Sequence, residues 1–354
     1  MNEINKKTKV EAQKISVVVP FFNAEKTLAL CLKGLSSQHL SPLEVIMVNN
    51  DSTDNSAKIA KEFVAENPET FRYLFEFRRG PSYARNTGAK EAKGEIIAFI
   101  DSDCVADPNW LKEIYEAFND LEIGSVAGKI ESYETESLLD KFHALFTMKG
   151  LSCPQSFTEF TLVKGGFPTA NLSVRKDVFI HIGGFEESMK IYSEDYDLCA
   201  RIYRTGYRIK YTTKAVVYHK HRNTLIGTWK QSFGFGTGHA VILKKHFKRL
   251  IIIDLPRYQY FSKKWPLRLW VDMASADKKL LGIVLLSFFW WPLSIFIIFY
   301  FIYLYANMDF RLKQKGLNAA FLDKLQLILL LNFKSAAITA GRIVGSFRNR
   351  VLCC

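Results

Sequence analysis

The 354-residue sequence lacks the signals of several common protein classes. Its first 14 residues are polar and charged and contain no apolar core, so we expect no secretory signal peptide. The six cysteines show neither Cys-x-x-Cys spacing nor a Cys/His pattern typical of a zinc site, and without an export signal we expect reduced thiols. Repeats and low-complexity linkers are absent as well. These absences argue against a secreted disulfide scaffold, a zinc-finger protein and a repeat protein.

The glycines of a dinucleotide-binding site are also missing. Ile15–Val19 is apolar except for Ser16, is mostly β-branched and is followed by Pro20, which predicts a first strand. A dinucleotide site needs Gly-x-Gly-x-x-Gly directly after such a strand. The chain has Pro-Phe-Phe-Asn-Ala-Glu there, so the sequence argues against a nicotinamide or flavin domain.

One long segment, Leu280–Ala306, contains no Asp, Glu, Lys or Arg. It is long enough for one tilted membrane span, but Trp290-Trp291-Pro292 divides it into two halves that are each too short to cross. The segment therefore predicts either a transmembrane helix or a re-entrant hairpin. A buried pair of helices in a soluble protein remains the alternative.

Basic residues flank this uncharged segment on both sides. Residues 230–279 carry 11 Lys and Arg against three Asp, and residues 307–354 carry eight against two. The formal net charge is +13, so the rest of the chain is nearly neutral. This placement indicates attraction to anionic membrane lipids and not to nucleic acid, and it favours a hairpin with both ends in the cytoplasm.

Two carboxylates follow a strand that is apolar on both faces. Ile96–Ile100 predicts a central strand of a parallel sheet, and Asp101 and Asp103 come directly after it. Ligands of open α/β sheets bind beyond the carboxyl ends of the strands. An Asp-x-Asp turn presents oxygen ligands to a hard divalent cation that also holds a diphosphate. Asp and Ser are ordinary turn residues too, so the motif by itself leaves both interpretations open.

The first half of the chain alternates predicted strands with predicted helices. The strands are Ile15–Val19, Glu44–Val48, Tyr73–Phe77 and Ile96–Ile100, and helices of ordinary length lie between them. This alternation predicts an α/β domain with a mostly parallel central sheet.

Four motifs in this region form a specific series: Val-Val-Val-Pro-Phe-Phe-Asn-Ala-Glu, Asn-Asn-Asp-Ser-Thr-Asp, Ala-Arg-Asn-x-Gly and Asp-Ser-Asp. Their order and spacing over roughly the first 220 residues resemble a family 2 glycosyltransferase with a GT-A fold. The resemblance implies that the first half of the domain binds a nucleoside diphosphate sugar. The second half then holds the acceptor and the catalytic base of an inverting reaction.

The resemblance also implies roles for individual residues on the donor side. It places Pro20, Phe22 and Glu25 near the nucleoside. Asn50 then faces the nucleobase and Arg85 the nucleotide, while Asp101 and Asp103 face the ribose and the metal–diphosphate. Many relatives have Asp-Asp where this chain has Asn49-Asn50. An amide donates as well as accepts, so the identity of the nucleobase stays open.

The acceptor side contains the predicted catalytic residues and a further metal ligand. Glu194 and Asp195 begin a helix, where an acidic pair also suits the helix dipole. The resemblance makes Asp195 the general base that deprotonates the acceptor hydroxyl, with Glu194 beside it. Ala215–His221 predicts a late strand with His219 and His221 on the same face. The resemblance implies a histidine metal ligand at this place, and we select His219 over His221. With Asp101 and Asp103, this set predicts Mn²⁺ or Mg²⁺, which neutralises the departing nucleoside diphosphate.

The predicted organisation has five parts: a tail (1–14), a GT-A domain (15–229), basic interfacial helices (230–279), a transmembrane or re-entrant segment (280–306), and an amphipathic helix with a tail (307–354). The expected function is transfer of a sugar to a hydroxyl of a glycan or lipid-linked acceptor at the cytoplasmic face of the cell membrane. Two alternatives remain open. One is transfer to polyprenyl phosphate, which needs no general base, and the other is a non-catalytic, membrane-tethered sugar-nucleotide binding module.

Overall fold

A computed structural model describes residues 14–147, 150–161, 165–189, 192–221, 224–255, 258–262 and 268–354. The strands are β1 (Ile15–Phe21), β2 (Glu44–Asn49), β3 (Phe71–Phe75), β4 (Ile96–Ile100), β5 (Cys104–Ala106), β6 (Ile123–Ser132), β7 (Gln155–Phe157), β8 (Asn171–Arg175), β9 (Arg208–His219), β10 (Leu250–Asp254), β11 (Gln259–Ser262), β12 (Arg268–Asp272) and β13 (Leu352–Cys353). The helices are α1 (Leu28–Ser36), α2 (Ser56–Glu66), α3 (Pro81–Glu91), α4 (Trp110–Ala117), α5 (Leu138–Phe146), α6 (Lys176–His181), α7 (Glu194–Arg204), α8 (Leu225–His246), α9 (Ala276–Phe289), α10 (Ile295–Gln314) and α11 (Phe321–Asn349). The chain divides into two compact units.

The first unit contains the described residues up to Tyr133 and from Gly150 to His221. Nine of its described strands form one sheet in the order β3-β2-β1-β4-β8-β6-β9-β5, with β7 beside β9. Strands β1 to β4 are mutually parallel. Strand β8 lies between β4 and β6 and is antiparallel to both, so β6 runs in the direction of β4, and β9 pairs with β6 in parallel. Six of these nine strands thus share one direction, which confirms the predicted α/β class and mostly parallel sheet.

The parallel strands place their carboxyl ends at one edge of this sheet. Phe21 at the end of β1 pairs with Asn49 at the end of β2, and β4 pairs with β1 on the other side. The strand interiors are buried apolar residues, as expected for a sheet covered on both faces. Gly88 lets α3 pack closely on β1, because a Cβ atom there would lie 2.5 Å from Val18 Cγ1. The glycine of the Ala-Arg-Asn-x-Gly motif therefore brings the arginine of α3 close to the sheet.

The second unit consists of the described residues from Glu134 to Thr147 and from Thr224 onward. Its longest helices, α8 and α11, pack through glycines, since a Cβ atom on Gly236 would lie 2.1 Å from Ile338 O. Helix α5 contributes Phe142 to its apolar core. The sequence prediction placed this helix in the GT-A domain of residues 15–229, and the structure places it with the C-terminal helices instead.

The prediction of basic interfacial helices over residues 230–279 is wrong in part. Helix α8 occupies the beginning of that range, but β10, β11 and β12 follow it and form a four-stranded sheet with β13 in the described part of this unit. The reason lies in Leu250–Ile253, where three consecutive isoleucines favour an extended strand. The prediction weighed the basic charge of the region and overlooked this β-branched run.

The uncharged segment Leu280–Ala306 is interrupted. Trp290 adopts an extended conformation, and a 3-10 turn, Trp291–Ser294, separates α9 from α10. Pro292 explains the interruption, because proline has no N–H to donate within a helix. Two helical stretches of the described residues, Trp291–Gln314 and Phe321–Asn349, are long and apolar enough to cross a membrane. The predicted amphipathic helix and tail, residues 307–354, contain the end of α10 and the whole of α11.

Candidate active site

A buried arginine connects the two halves of the first unit. Arg85 of α3 donates from Nη2 to Asp101 Oδ1 at 2.9 Å and from Nη1 to Glu194 Oε1 at 2.8 Å. Only 6% of the Arg85 side chain is exposed. Burial alone lowers the pKa of Arg85, but the negative charges of Asp101 and Glu194 outweigh it and raise that pKa above its usual range. The guanidinium therefore stays charged, and it joins the end of β4 to the start of α7.

Asp195 follows Glu194 in the first turn of α7 and remains partly exposed. Desolvation and the neighbouring charge of Glu194 raise the pKa of the Asp195 carboxyl to about 7. The backbone N–H of Tyr196, which donates to Asp195 Oδ1 at 2.8 Å, and the charge of Arg85 oppose this shift. A carboxylate with a pKa near neutrality is a more effective proton acceptor than an ordinary aspartate.

The two adjacent carboxylates thus occupy different environments. Glu194 is paired with Arg85 inside the protein, whereas the Asp195 carboxylate accepts the backbone N–H of Tyr196 and remains partly exposed. Two carboxylates in such different environments differ in chemistry, and the role of Asp195 as the general base stays a prediction. The sequence grouped both residues as catalytic, and the structure gives Glu194 the role of holding Arg85.

Asp103 and His219 lie together at the other side of the site. Strands β5 and β9 pair in antiparallel register with Cys104 opposite His219, which places Asp103 Oδ1 3.4 Å from His219 Nε2. The ligand atoms of Asp103, Cys104 and His219 all lie within 4.8 Å of one another. Two ligands about 2.1 Å from one cation, at a right angle, lie roughly 3.0 Å apart. The spacing of Asp103 and His219 therefore fits a shared divalent cation after a small adjustment.

The sequence analysis did not identify Cys104 as a neighbour of the proposed metal ligands. Cys104 faces His219 only because β5 and β9 pair, a contact between residues far apart in the chain. Burial, followed by the charges of Asp103 and Asp101, raises the pKa of the Cys104 thiol well above its usual value. A protonated thiol is a poor ligand for the hard cations that carboxylates prefer.

Asp101 is not a member of this three-residue cluster in the described part of the chain. Its Oδ1 accepts the hydrogen bond of Arg85 instead. The role of Asp101 as a metal ligand stays a prediction, as does the contact of Arg85 with the nucleotide, because both side chains are held in the same ion pair.

His219 is itself in contact with a second histidine. Its Nδ1 atom lies 3.1 Å from Nδ1 of His221, and Nε2 of His221 lies 2.8 Å from Ser132 Oγ. Both imidazoles are buried, and Ser132 belongs to the neighbouring strand β6. The sequence placed both histidines on one face of a strand. In the structure they form a hydrogen-bonded chain from His219 through His221 to Ser132.

The residues predicted to lie near the nucleoside surround the ends of β1 and β2. Pro20 is within β1, opposite Val48, and Phe22 is half-exposed directly after that strand. The guanidinium of Arg79 lies 5.3 Å from the centre of the Phe22 ring. Glu25 Oε2 accepts hydrogen bonds from both the backbone and the side chain of Asn55. Glu25 thus holds the start of α2, and its contact with a nucleoside stays a prediction.

Asn50 holds a loop. Its Nδ2 donates to the backbone oxygens of Glu76 and Arg78, and its Oδ1 accepts from the N–H of Gly80. Both amide hydrogens are therefore engaged by protein, which leaves only the second lone pair of Oδ1 for a nucleobase. Asn50 shapes residues 76–80, and its direct contact with the base stays a prediction.

Glu76 was missed by the sequence interpretation, which treated Tyr73–Phe77 as one strand. The strand ends at Phe75, because Glu76 accepts hydrogen bonds from Arg78 and from Thr87 Oγ1. The Arg78 bonds, together with Thr87, lower the pKa of the Glu76 carboxyl to about 2 against the effect of burial. The signal in the sequence is a glutamate two residues before an arginine at the end of a strand.

Comparison with known proteins places these motifs in a family. Residues 16–185 match the family model described as Glycosyl transferase family 2. Glycosyltransferase AglE of Haloferax volcanii is 27% identical over 211 residues, which cover 59% of this chain and 67% of that protein. Poly-beta-1,6-N-acetyl-D-glucosamine synthase of Staphylococcus aureus is 24% identical over 273 residues, which cover 76% of this chain and 66% of the synthase. The chain thus spans about two thirds of the length of these relatives.

One solved structure is similar over most of the chain. Mannosyltransferase PcManGT from Pyrobaculum calidifontis, in complex with GDP-Man and Mn²⁺, has a TM-score of 0.56 and 15% sequence identity. The alignment covers 95% of this chain and 87% of that one. This similarity and the sheet topology confirm the predicted GT-A fold.

Proposed function

Because the chain is a family 2 glycosyltransferase, we propose that it transfers a sugar from a nucleoside diphosphate sugar to a hydroxyl of a glycan or lipid-linked acceptor, with inversion at the anomeric carbon. The observation that carries this proposal is the environment of Asp195. Desolvation, followed by the charge of Glu194, raises the pKa of its carboxyl to about 7, and the side chain remains partly exposed beside a glutamate that is paired with Arg85. These are the properties required of a general base that works near neutral pH.

The chemical step uses Asp195 as the proton acceptor. The acceptor oxygen forms a bond to the anomeric carbon while the bond from that carbon to the diphosphate oxygen breaks, and the hydroxyl proton moves to the Asp195 carboxylate. The departing nucleoside diphosphate keeps the electron pair of the broken bond. Attack from the face opposite the leaving group inverts the configuration. Arg85 keeps Glu194 fixed beside Asp195 throughout, since it pairs with Glu194 inside the protein.

We assign the divalent cation to Asp103 and His219, which together offer one carboxylate and one imidazole. Mn²⁺ and Mg²⁺ suit this donor set, and the bound ion supplies neutralisation of the negative charge on the leaving diphosphate. The complex of PcManGT with GDP-Man and Mn²⁺ supports both the nucleotide-sugar donor and the metal. Asp101 belongs to the donor side through its ion pair with Arg85.

We propose that the second unit binds the cell membrane and that the catalytic domain faces the cytoplasm. Helix α9 has no buried residue, and its last residues, Phe288 and Phe289, are largely exposed, as is Trp291 in the turn that follows. Lysines 278 and 279 precede the apolar part of α9, and Arg311 and Lys313 lie in the last turn of α10. An exposed apolar hairpin between basic ends matches a bilayer with anionic headgroups.

A general base is needed when the acceptor is a hydroxyl and is not needed when it is polyprenyl phosphate. The polysaccharide synthase among the relatives supports a glycan hydroxyl as the acceptor of this chain. The test is Asp195→Asn, which keeps the shape of the side chain and removes its basicity. Nucleoside diphosphates are first screened with Mn²⁺ by thermal shift to identify the donor, and transfer is then measured with hydroxyl acceptors and with polyprenyl phosphate.

We expect Asp195→Asn to reduce transfer to a hydroxyl by about 10²- to 10⁴-fold and to leave nucleotide binding intact. Asp177→Asn, at an exposed aspartate of α6, is the matched control and should retain activity. Full activity of Asp195→Asn with polyprenyl phosphate would contradict the proposed hydroxyl acceptor and indicate a phosphate acceptor instead. Donor binding without turnover on any acceptor would indicate a non-catalytic binding module.

A further inference from the structure

The end of β9 holds two histidines in a defined arrangement. His219 and His221 are 7% and 8% exposed, and their ring centres are 4.7 Å apart. The backbone of His219 is fixed on both sides, because it pairs with Ser132 of β6 and with Cys104 of β5. Both imidazoles are therefore buried side chains that are held against each other.

Hydrogen positions follow from the contacts of the four ring nitrogens. The two Nδ1 atoms are 3.1 Å apart, so one of them carries a hydrogen and the other accepts it. If His221 carries that hydrogen, a neutral His219 has its own hydrogen on Nε2, which faces Asp103. If His219 carries it, Nε2 of His219 has a lone pair, and a neutral His221 donates from Nε2 to Ser132 Oγ at 2.8 Å. Only the second arrangement lets His219 bind a cation.

The distance on the other side of His219 favours the second arrangement. Nε2 of His219 and Oδ1 of Asp103 are 3.4 Å apart, which exceeds the usual 2.7–3.2 Å of an N–H···O hydrogen bond. A direct hydrogen bond between neighbouring side chains is normally shorter. The wider separation is suited to two neighbouring ligands of one cation, as described for the candidate site.

We propose that His221, supported by Ser132, is a positioning residue that holds His219 in the tautomer that binds the divalent cation. The inference rests on the proposed metal site and adds to it two residues that do not touch the cation. A hydrogen bond to the distal nitrogen of a ligating histidine fixes its tautomer and orientation, and its loss usually costs 10- to 100-fold in metal affinity or activity. His221 supplies this bond as an acceptor, and Ser132 makes it an acceptor by receiving the hydrogen of its Nε2.

The test uses two replacements that imitate different atoms of the imidazole. In His221→Asn, Oδ1 occupies the place of Nδ1 and accepts the hydrogen of His219. In His221→Gln, the amide extends toward Ser132, in the direction of Nε2. We expect His221→Asn to bind Mn²⁺ nearly as the unaltered protein does, whereas His221→Gln and His221→Ala weaken binding by about 10- to 100-fold.

Binding is measured on the full chain with the donor nucleoside diphosphate present, by the electron paramagnetic resonance signal of free Mn²⁺. The same variants are assayed for transfer over a range of Mn²⁺ concentrations. A positioning role raises the Mn²⁺ concentration for half-maximal activity while kcat at saturating Mn²⁺ changes little. His181→Ala, at an exposed histidine of α6, is the control for histidine replacement and should leave Mn²⁺ binding unchanged.

The variants distinguish this inference from the metal site itself. If the unaltered protein fails to bind Mn²⁺, the proposed metal site is wrong and the role of His221 is wrong with it. If the unaltered protein binds Mn²⁺ and His221→Ala binds it equally well, the inference alone is overturned. If His221→Ala does not fold, the comparison of Asn and Gln decides, and equal affinity of these two variants would overturn the tautomer argument.

Discussion

Arg85 Nη1 lies 2.8 Å from Glu194 Oε1, and this ion pair joins residues that are 109 positions apart in the sequence. Both side chains are almost completely buried. The pair explains how two adjacent carboxylates, Glu194 and Asp195, come to differ in chemistry. Glu194 is held in the ion pair, whereas desolvation, followed by the charge of Glu194, raises the pKa of Asp195.

Glu194→Gln tests this electrostatic relationship. The charge of Glu194 raises the pKa of Asp195, so its removal should lower that pKa. We expect the pH at which transfer becomes half-maximal to move to lower values, although the loss of the partner of Arg85 also reduces activity. The measurement is the pH dependence of kcat/KM. A shift to higher pH, or no shift, would contradict the assignment of Glu194.

Asp195→Asn should also change the stability of the protein with pH. The folded-state pKa of Asp195 is about 7, against 3.8 as the ordinary value. The folded protein therefore binds a proton more tightly than the unfolded chain does, and the stability from this group is lost as the pH rises from the ordinary value through 7. We expect Asp195→Asn to be more stable than the unaltered protein at about pH 8, with a smaller advantage at lower pH.

Thermal unfolding in buffers on both sides of pH 7 measures this difference. Asp177→Asn serves again as the control, and its melting temperature should follow that of the unaltered protein at every pH. A destabilised Asp195→Asn above pH 7 would mean that the carboxylate of Asp195 is stabilised in the folded protein.

Glu76→Gln should loosen the loop that Asn50 also holds. Glu76 is 5% exposed, and its pKa falls from 4.5 to about 2 because Arg78 and Thr87 donate hydrogen bonds to it. The stability that it contributes is therefore present above pH 4.5 and is lost as the pH falls toward 2. We expect a loss of about 1–3 kcal/mol in the free energy of unfolding at neutral pH, together with weaker nucleotide binding.

Urea unfolding and calorimetric titration with the donor nucleotide check this expectation. Glu62→Gln, at an exposed glutamate of α2, is the control, because its contact with Lys58 is a surface pair. Unchanged stability of Glu76→Gln would show that the hydrogen bonds of Glu76 do not contribute to holding residues 76–80.

Membrane binding should have an apolar and an electrostatic part. The full chain is expected to remain with membranes in 1 M salt, where the Debye length is about 3 Å, and to need detergent for release. Lys278→Gln combined with Lys279→Gln should weaken binding to anionic vesicles by about 1 kcal/mol per charge and should not affect binding to neutral vesicles. Lys58→Gln, in an exposed position of α2, is the control. Release by salt alone would mean that the α9–α10 segment is not inserted.

The sequence predicts the donor half of the fold well because its signals are local. Ile96–Ile100 reads as a buried strand from its own residues, and the carboxyl-end rule then places Asp101 and Asp103 at the ligand-binding edge. Trp290-Trp291-Pro292 lies at the break in the uncharged segment, for which the sequence left a single span and a hairpin open. These features depend on neighbouring residues only.

Contacts between distant residues escaped the sequence analysis. The ion pair of Arg85 with Glu194 depends on how α3 and α7 meet, and the position of Cys104 opposite His219 depends on strand pairing. The bond between His219 and His221 requires the orientation of both rings, which periodicity does not determine. A resemblance to a family supplied His219 as a candidate, and only the structure supplied its partner.

The most direct test of general-base catalysis by Asp195 is the pH dependence of kcat/KM for transfer to a hydroxyl acceptor. We predict that log kcat/KM rises with slope one at acid pH and levels off with an apparent pKa of about 7. In Asp195→Asn this dependence should disappear along with most of the activity. A rate that is unchanged through pH 7 in the unaltered protein, or the same acid limb in Asp195→Asn, would contradict the account.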